Sequence, residues 1–191
     1  LHLCDRRQRQ MCIRDSSEAV PFMKTGGLAD VTGSLPKYFD KKNYDVRVIL
    51  PKYVCMEERW KGQLHFLCHF YVNLNWRKQY VGIFETTYDG ITYYLVDNEF
   101  YFAGNAPYNN IYEDVEKFAF FSKAVLEALP YLDFCPDIIH CHDWQTGLLP
   151  VFLRTLYGDE EYYTGIKTVF SIHNLKFQGL SLIHISEPTR H

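Results

Sequence analysis

Short β-branched segments alternate with longer helical segments along most of this chain, and this alternation limits the folds that it can adopt. Residues 44–51 (YDVRVILP) are typical of a strand closed by proline, and residues 113–129 carry apolar side chains at helical spacing. The same order recurs as a strand at 136–144, a helix at 146–157 and a strand at 166–174. Strands that alternate with helices predict an α/β fold, a doubly wound parallel sheet with helices on both faces.

A β-hairpin is predicted within this order at residues 81–97, VGIFETTYDGITYYLVD. Aromatic and β-branched residues alternate on both sides of the Asp89-Gly90 dipeptide, which is typical of a two-residue hairpin turn. Because a hairpin does not belong to the strand-helix-strand repeat, we expect it as an insertion in the parallel sheet.

Two adjacent glycines open the first helix, in the stretch FMKTGGLADVTGSLPKYF. The helix is predicted from an apolar stripe at helical spacing, which consists of Leu28, Val31, Leu35 and Tyr38. A helix that begins at Gly26 and Gly27 exposes its first N–H groups, and Lys24 could reach over them. This arrangement predicts an anion site, and the alternative is a tight turn with a solvated lysine.

Polar residues stand at the points where a parallel sheet would place its ligand crevice. The Lys24–Gly27 loop precedes the first helix, the His140–Asp143 segment follows one strand, and the pair His173-Asn174 follows another. In open α/β sheets the crevice lies at the carboxyl ends of the strands. The three segments are therefore predicted to meet at one edge of the sheet.

Each of these polar segments also has a structural interpretation. His140, His142 and Asp143 could bind zinc, but we favour one histidine packed in the core and Asp143 as a cap of the helix near Thr146. A serine hydrolase is excluded because the chain has no G-x-S-x-G sequence. The turn-rich loop at 104–110 is interpreted as a surface loop that exposes Tyr108.

The composition excludes several functional classes. The chain has 20 basic and 23 acidic residues, a net charge of −3, which argues against a general nucleic-acid binder. No apolar run approaches the ~20 residues of a membrane helix, and the N-terminus lacks the pattern of a secretory signal. The six cysteines are scattered without a C-x-x-C pair, which favours reduced thiols in a cytoplasmic protein.

Both ends of the chain differ from the rest. Residues 1–16 (LHLCDRRQRQMCIRDS) and residues 180–191, which end in SLIHISEPTRH, resemble translated sequencing-adaptor sequence. We therefore exclude both ends from functional argument and treat residues 17–179 as the native segment. The segment MCIR could take the place of a native first strand, although Arg14 is poorly suited to burial.

Four segments together resemble the N-terminal domain of bacterial glycogen synthases and plant starch synthases. They are KTGGLADVTGSLPKYF, YDVRVILPKY, PDIIHCHDWQTGLLPVFL and FSIHNLKFQG, in the order and spacing of that family. The resemblance covers residues 17–179, although Gln145 stands where many relatives have histidine. It implies the N-terminal half of a two-domain GT-B glycosyltransferase with Rossmann-like domains, an active site in the cleft between them, and a missing C-terminal nucleotide-sugar domain.

The resemblance also implies a reaction, the retaining transfer of glucose from ADP-glucose to the non-reducing 4-OH end of an α-1,4-glucan. Lys24 matches the lysine that contacts the donor, and the Gly26-Gly27 turn would let the backbone approach its diphosphate. His173 corresponds to the histidine beside the transferred glucose, where it would support an oxocarbenium-like state by hydrogen bonding.

Three further positions are implied less directly. Asp143, taken as catalytic with His173, and Tyr108 match positions implicated in sugar contacts, and Asn174 is assigned to substrate binding. The resemblance implies neither a metal nor a cofactor. It implies no nucleic-acid or membrane partner, and a cytoplasmic location, or the plastid if the source is a plant.

Two other functions remain open from the residues. One is a stand-alone anion- or nucleotide-binding module, which would need only the glycine loop and does not account for Asp143 and His173. The other is a UDP-glucose-using relative such as a sucrose synthase, which shares the architecture but not K-T-G-G-L-A-D-V in this form. Because the second domain is absent, we expect no transferase activity from this chain alone.

Overall fold

A computed structural model describes residues 10–75, 77–132 and 134–174. Within these ranges seven strands form one sheet: β1 Gln10–Asp15, β2 Tyr44–Pro51, β3 His65–Leu74, β4 Arg77–Tyr88, β5 Ile91–Asp97, β6 Ile138–His142 and β7 Lys167–Ser171. The helices are α1 Gly27–Ser34, α2 Glu58–Lys61, α3 Glu99–Phe102, α4 Ile111–Ala128 and α5 Leu148–Thr155. The strand order is β3-β4-β5-β2-β1-β6-β7, and β5, β2, β1, β6 and β7 run parallel. The predicted α/β fold with a parallel sheet is confirmed.

Strands β4 and β5 form the predicted hairpin, with Tyr88 opposite Ile91. Asp89 and Gly90 have φ angles of 51° and 69°, the left-handed backbone that a two-residue hairpin turn requires. Strand β5 also pairs in parallel with β2, and β3 adds to the outer side of β4. The hairpin therefore extends the main sheet instead of standing apart from it.

The sheet has a core on each face. Along β2, Ile49 packs in the core beneath α4 and α5, whereas Val48 and Leu50 pack in the opposite core with Phe22. Successive side chains of a strand point to opposite faces, so a strand buried on both sides reads as an unbroken apolar run. This is why VRVILP carries little alternation.

Helix α1 begins at Gly27 as predicted, but its buried face is not the predicted stripe. Its buried residues are Ala29, Thr32 and Gly33, whereas Val31 is 37% exposed. A Cβ atom on Gly33 would lie 2.4 Å from the carbonyl oxygen of Val20. Because the helix lies this close to the preceding backbone, only small residues fit between them, and Leu28 and Leu35 of the predicted stripe are only half-buried.

Helix α4 begins earlier than the sequence predicts. The side chain of Asn110 accepts hydrogen bonds from the N–H groups of Tyr112 and Glu113, so the helix begins at Ile111 rather than at residue 113. Val115, one of the apolar residues at helical spacing within residues 113–129, is 44% exposed. The helix instead buries a hydrogen-bonded pair near its start, described below, which a purely apolar pattern does not reveal.

Strand β1 occupies the centre of the sheet, between β2 and β6. The segment MCIR thus lies where the sequence predicts that it could replace a native first strand. Arg14 and Asp15 are 1% and 0% exposed, and neither carboxylate oxygen of Asp15 has a hydrogen-bond partner among the described residues. A buried carboxylate without partners is costly, and burial raises the pKa of Asp15 well above its usual range.

Two predictions, about membrane-spanning helices and about thiols, can be compared with the described residues. None of their helices is both long enough and apolar enough to span a bilayer. Cys12, Cys55, Cys68 and Cys141 are free thiols. Cys135 is disulfide-bonded, so the prediction of reduced thiols is wrong at that position.

Candidate functional site at the carboxyl edge of the sheet

The candidate site lies where β1, β6 and β7 end. The loop after β1 carries Ser17 and Glu18, Asp143 follows β6, and His173 follows β7. These strands are neighbours in the sheet, so their carboxyl ends lie side by side. The edge that the sequence predicts as a ligand crevice therefore carries the predicted polar residues in two groups.

The first group, here called the glycine-loop cluster, is centred on Glu18 and consists of Ser17, Glu18, Thr25, Gly26 and Tyr108. The carboxylate of Glu18 accepts hydrogen bonds from the Thr25 hydroxyl at 2.7 Å, the Gly26 N–H at 3.3 Å and the Thr25 N–H. Glu18 is only 2% exposed. A buried carboxylate that receives several donors is well satisfied, and it holds the glycine turn against the end of β1.

This arrangement changes the prediction of bare N–H groups at the turn. Glu18 already accepts from the N–H groups of Thr25 and Gly26, so those two are not available to an anion. The first N–H groups of α1, which begins at Gly27, have no acceptor within the helix. No atom lies within 4 Å of a Cβ position built on Gly26 or Gly27, so the outer side of the turn is open.

Lys24 lies beside this turn and is already paired with an acid. Its Nζ lies 2.7 Å from Oδ1 and 2.8 Å from Oδ2 of Asp30, on the first turn of α1. Both side chains are more than half exposed. An exposed pair of this kind contributes little to stability, so a bound anion could exchange with Asp30 as the partner of Lys24.

Tyr108 is not the exposed residue that the sequence predicts. Its hydroxyl donates to Glu18 and lies 2.8 Å from the hydroxyl oxygen of Ser17, and its ring packs against Phe118. Burial, followed by the negative charge of Glu18, raises the pKa of Tyr108. The phenol therefore stays protonated and acts as a hydrogen-bond donor inside the cluster.

The loop that carries Tyr108 is held by α4. The Lys117 ammonium lies 2.6 Å from the Asp114 carboxylate, and both side chains are almost completely buried. Lys117 also donates to the carbonyl of Pro107, and Asp114 accepts from the N–H of Asn109 at 3.1 Å. This pair places the loop, and the phenol with it, over the end of β1.

The second group, here called the histidine cluster, consists of Arg14, His140, His142, His173 and Ser171. The guanidinium of Arg14 lies 3.2 Å from Nδ1 of His140 and 2.6 Å from Nε2 of His142. His140 Nε2 lies 2.8 Å from the Ser171 hydroxyl, and His142 Nδ1 lies 2.8 Å from Nε2 of His173. His142 is fully buried, which confirms the prediction that one histidine of HCHDW packs in the core.

Burial in this cluster favours the uncharged imidazole. It lowers the pKa of His140 to about 4 and that of His142 to about 2, and the positive charge of Arg14 acts in the same direction. A charged imidazole would have to lose its hydration and lie beside a guanidinium. At neutral pH both rings are therefore neutral hydrogen-bonding groups.

Asp143 does not cap the following turn with its side chain, as the sequence predicts. It stands at the N-cap position before Trp144, but no side-chain capping bond forms. Its Oδ1 instead accepts the backbone N–H of His173 at 2.6 Å, and its own φ is 60°. A non-glycine residue in this conformation is strained. In this conformation the carboxylate of Asp143 lies where it binds and fixes the backbone beyond β7.

A metal centre is not formed by these histidines. The described residues hold no group of three side chains placed to bind a metal ion. Arg14 donates to ring nitrogens of both His140 and His142, and those lone pairs are the ones that a zinc ion would need. The cationic group in this part of the site is a guanidinium.

The predicted residues thus fall into two neighbouring groups at one edge. Lys24, Gly26, Gly27 and Tyr108 lie in or beside the glycine-loop cluster; Asp143 and His173 meet at the histidine cluster, and Asn174 is exposed beyond them. Sequence reasoning missed the roles of Glu18 and His142. Glu18 follows directly on β1, and this position could have identified it had the first strand been recognisable.

A doubly wound parallel sheet with a glycine turn and polar side chains at its carboxyl edge defines a Rossmann-like α/β domain, a class of fold in which ligands commonly bind at that edge. The starch synthase catalytic domain, as a family, matches residues 15–188, and the chain belongs to this family.

Relatives with curated names support the same assignment. The chain is 66% identical over 165 residues to a glycogen synthase of Lachnoclostridium phytofermentans and 62% identical over 165 residues to one of Lachnospira eligens. Each alignment covers 86% of this chain and 34% of the relative, so the chain spans about a third of the length of these proteins.

A solved structure agrees with the fold. The catalytic domain of Starch Synthase IV from Arabidopsis thaliana bound to ADP and acarbose superimposes with a TM-score of 0.76 at 28% sequence identity. The alignment covers 96% of this chain and 38% of that chain. The sheet and its carboxyl edge are therefore those of the N-terminal part of a GT-B glycosyltransferase.

Proposed function

We propose that this chain is the N-terminal, acceptor-side part of a glucan synthase that transfers glucose from ADP-glucose to the non-reducing 4-OH end of an α-1,4-glucan with retention of configuration. The observation that carries the proposal is the joint placement of the glycine turn and His173 at one sheet edge, in a chain of the starch synthase family. The structural relative was solved with ADP and acarbose bound, and these two ligands agree with a nucleotide and a glucan-like sugar.

The donor diphosphate would lie over the first turn of α1. The unsatisfied N–H groups of that turn and the helix dipole stabilise negative charge, which grows on the ADP leaving group as the glycosidic bond breaks. The open outer side of Gly26 and Gly27 lets a phosphate approach the backbone. Lys24 supplies a mobile positive charge once it leaves Asp30.

The transferred glucose would lie beside His173. This side chain is exposed at the sheet edge while its backbone is held by Asp143. A fixed imidazole can hydrogen-bond to a hydroxyl group of the sugar and hold it in place while the oxocarbenium-like state develops, without nucleophilic attack. Tyr108, Asp143 and Asn174 are proposed to contact the sugar or the acceptor around it.

The chain spans about a third of the length of its curated relatives, and the family resemblance implies that the nucleotide-sugar groups lie in a C-terminal domain outside this sequence. We therefore infer that the isolated 191-residue chain does not turn over ADP-glucose. No resident metal or cofactor is proposed, because protein groups supply the positive charge in this mechanism.

We also propose that residues 1–16 and 180–191 are not native. The support is the central position of Arg14 and Asp15 in β1, where the carboxylate of Asp15 is buried without a partner. The family match continues to residue 188, beyond the native segment of 17–179. Sequencing the source DNA across both junctions decides the boundaries, and continuous genuine coding sequence across them would contradict the proposal.

The function is tested by grafting residues 17–174 onto the glycogen synthase of L. phytofermentans in place of its matching segment. We expect the chimera to elongate glycogen with ADP-glucose, and the His173→Ala chimera to lose at least a hundredfold of kcat. A folded chimera that binds ADP-glucose but transfers no glucose would overturn the proposal. A strong preference for UDP-glucose would favour the sucrose-synthase-like alternative, and binding without chemistry would favour a nucleotide-binding module.

A further inference from the structure

Three histidine rings lie in a row, nearly parallel to one another, at the carboxyl edge. The rings of His140 and His142 are 4.2 Å apart with an interplanar angle of 26°, and those of His142 and His173 are 5.1 Å apart at 18°. His142 lies in the middle, is fully buried, and makes a hydrogen bond at each ring nitrogen. The glucosyl-transfer proposal gives this residue no task.

In this chain the position of each proton in the row follows from the hydrogen-bonding capacity of Arg14, a residue of the segment proposed as non-native, whereas the contact between His142 and His173 lies within residues 17–179. A guanidinium has five donors and no acceptor, so it must donate to every ring nitrogen that it contacts. Nε2 of His142, 2.6 Å from Arg14, is therefore an acceptor. A neutral imidazole has one N–H, so His142 carries its proton on Nδ1.

The same reasoning extends to His173. Nδ1 of His142 lies 2.8 Å from Nε2 of His173, so the proton on His142 is donated to that atom. Nε2 of His173 is then the acceptor, and the neutral ring carries its proton on Nδ1. His140 behaves differently, because Arg14 donates to its Nδ1 and its Nε2–H donates to Ser171.

Two consecutive residues hold His173 from different sides. His142 fixes the ring through Nε2, and Asp143 fixes the backbone through its N–H at 2.6 Å. The side chain of His173 is otherwise exposed and would have free choice of rotamer and tautomer. Such double support is what a group needs when it must meet a ligand in one orientation.

We propose that His142 is a positioning residue that holds the ring of His173 through Nε2 and leaves Nδ1 outside this contact; in this chain, with Arg14 beside His142, that nitrogen carries the proton. The identity of the ligand of His173 as the transferred sugar rests on the proposed function. The orientation and the tautomer do not depend on it.

The test is a nitrogen NMR measurement of histidine tautomers at pH 8 on the full 191-residue chain labelled with ¹⁵N-histidine. The expected result is the Nδ1–H form for His142 and His173 and the Nε2–H form for His140. The exposed His65 on β3 supplies the reference mixture of a solvated ring. His142 in the Nε2–H form, or His173 with the same mixture as His65, would overturn the proposal without any variant.

Two substitutions separate the contacts of His142. In asparagine the amide nitrogen is separated from Cα by the same number of bonds as Nδ1 is in histidine. The variant His142→Asn therefore keeps a donor toward His173 but loses the contact with Arg14. The amide of glutamine extends to the position of Nε2, so His142→Gln keeps the contact with Arg14 and loses the donor. We expect His173 to stay in the Nδ1–H form in His142→Asn and to revert to the mixture of His65 in His142→Gln.

If the histidine rings of both variants lose their defined positions, the tautomers of the wild-type chain remain the measurement that decides the proposal. An unchanged Nδ1–H form of His173 in folded His142→Gln would show that His142 does not assign it, and the proposal would fail. Because the readout needs no turnover, an inactive chimera in the transfer assay contradicts only the proposed function.

Discussion

The hydroxyl of Tyr108 lies 2.5 Å from Oε1 of Glu18, and this contact joins the loop before α4 to the loop after β1. The two residues are 90 positions apart in the chain. Glu18 in turn binds the glycine turn, so a single carboxylate connects the central strand, the candidate anion site and the loop of Tyr108.

Replacing Tyr108 with phenylalanine should therefore destabilise the fold. The substitution keeps the ring against Phe118 but leaves the buried Glu18 with one donor fewer, at a cost of about 1–3 kcal/mol. Urea unfolding followed by circular dichroism measures this loss. Tyr112→Phe is the control, because Tyr112 is 68% exposed on the same part of the chain. Equal stability of the two variants would show that the phenol contributes nothing to the cluster.

Two glycines of one helix should respond oppositely to alanine. Gly33→Ala places a Cβ 2.4 Å from the backbone oxygen of Val20, and overpacking of this kind costs about 1–3 kcal/mol or more. Gly27→Ala meets no atom within 4 Å and should change stability by less than about 1 kcal/mol, in the stabilising direction. Thermal unfolding measures both, and a stable Gly33→Ala chain would contradict the close approach of α1.

The same Gly27→Ala substitution tests the anion site. An added methyl group on the open side of the turn should weaken binding of ADP-glucose to the chimera by at least tenfold, although stability is kept. Isothermal titration calorimetry on the folded variant measures this effect. Unchanged affinity would place the diphosphate elsewhere.

Asp15→Val should stabilise the chain by about 1–3 kcal/mol at pH 7, because it removes a buried carboxyl group without a partner. The pKa of Asp15 is raised in the folded state, so the folded chain keeps this proton at pH values where the unfolded chain, with a pKa near 3.9, has lost it. The loss of folding free energy caused by Asp15 is thus smallest below about pH 4 and grows as pH rises toward the pKa of Asp15 in the folded chain. Urea unfolding at pH 4.5 and 7 should show a larger gain at pH 7, and an equal gain at both would contradict this.

His142 should affect the pH dependence of stability in the direction opposite to that of Asp15. Burial lowers its pKa to about 2 in the folded state, against about 6.5 when unfolded, so its contribution is fully present above pH 6.5 and is lost as pH falls. One group of this kind costs up to about 1.4 kcal/mol per pH unit below 6.5. His142→Asn should therefore lose less stability than the wild type between pH 6.5 and 5. Parallel pH profiles would mean that His142 is protonated in the folded chain.

The order of elements could be predicted from sequence because each signal was local. The bounds of β2 follow from a β-branched run closed by proline, and the hairpin turn follows from Asp89 and Gly90. The meeting of the polar segments at one edge follows from the geometry of parallel strands alone. The geometry of parallel strands correctly placed the glycine loop, Asp143 and His173 at that edge.

What sequence could not supply was the distance between elements. The stripe of α1 was wrong because its approach to Val20 selects Gly33 rather than a large apolar residue. The cap expected from Asp143 was wrong because its carboxylate meets the N–H of His173, 30 residues away. Tyr108 was taken as exposed because its partner Glu18 lies 90 residues earlier in the chain.

The central place of β1 has a consequence for the order in which the chain can fold. Its two neighbours in the sheet, β2 and β6, come from distant parts of the chain, and β6 begins only at Ile138. At roughly 5–20 residues per second, a ribosome needs several seconds to deliver that partner. Among the described strands, β1 is thus synthesised first and is among the last to be fully paired, and until then its unpaired edge is exposed to chaperones and to neighbouring nascent chains.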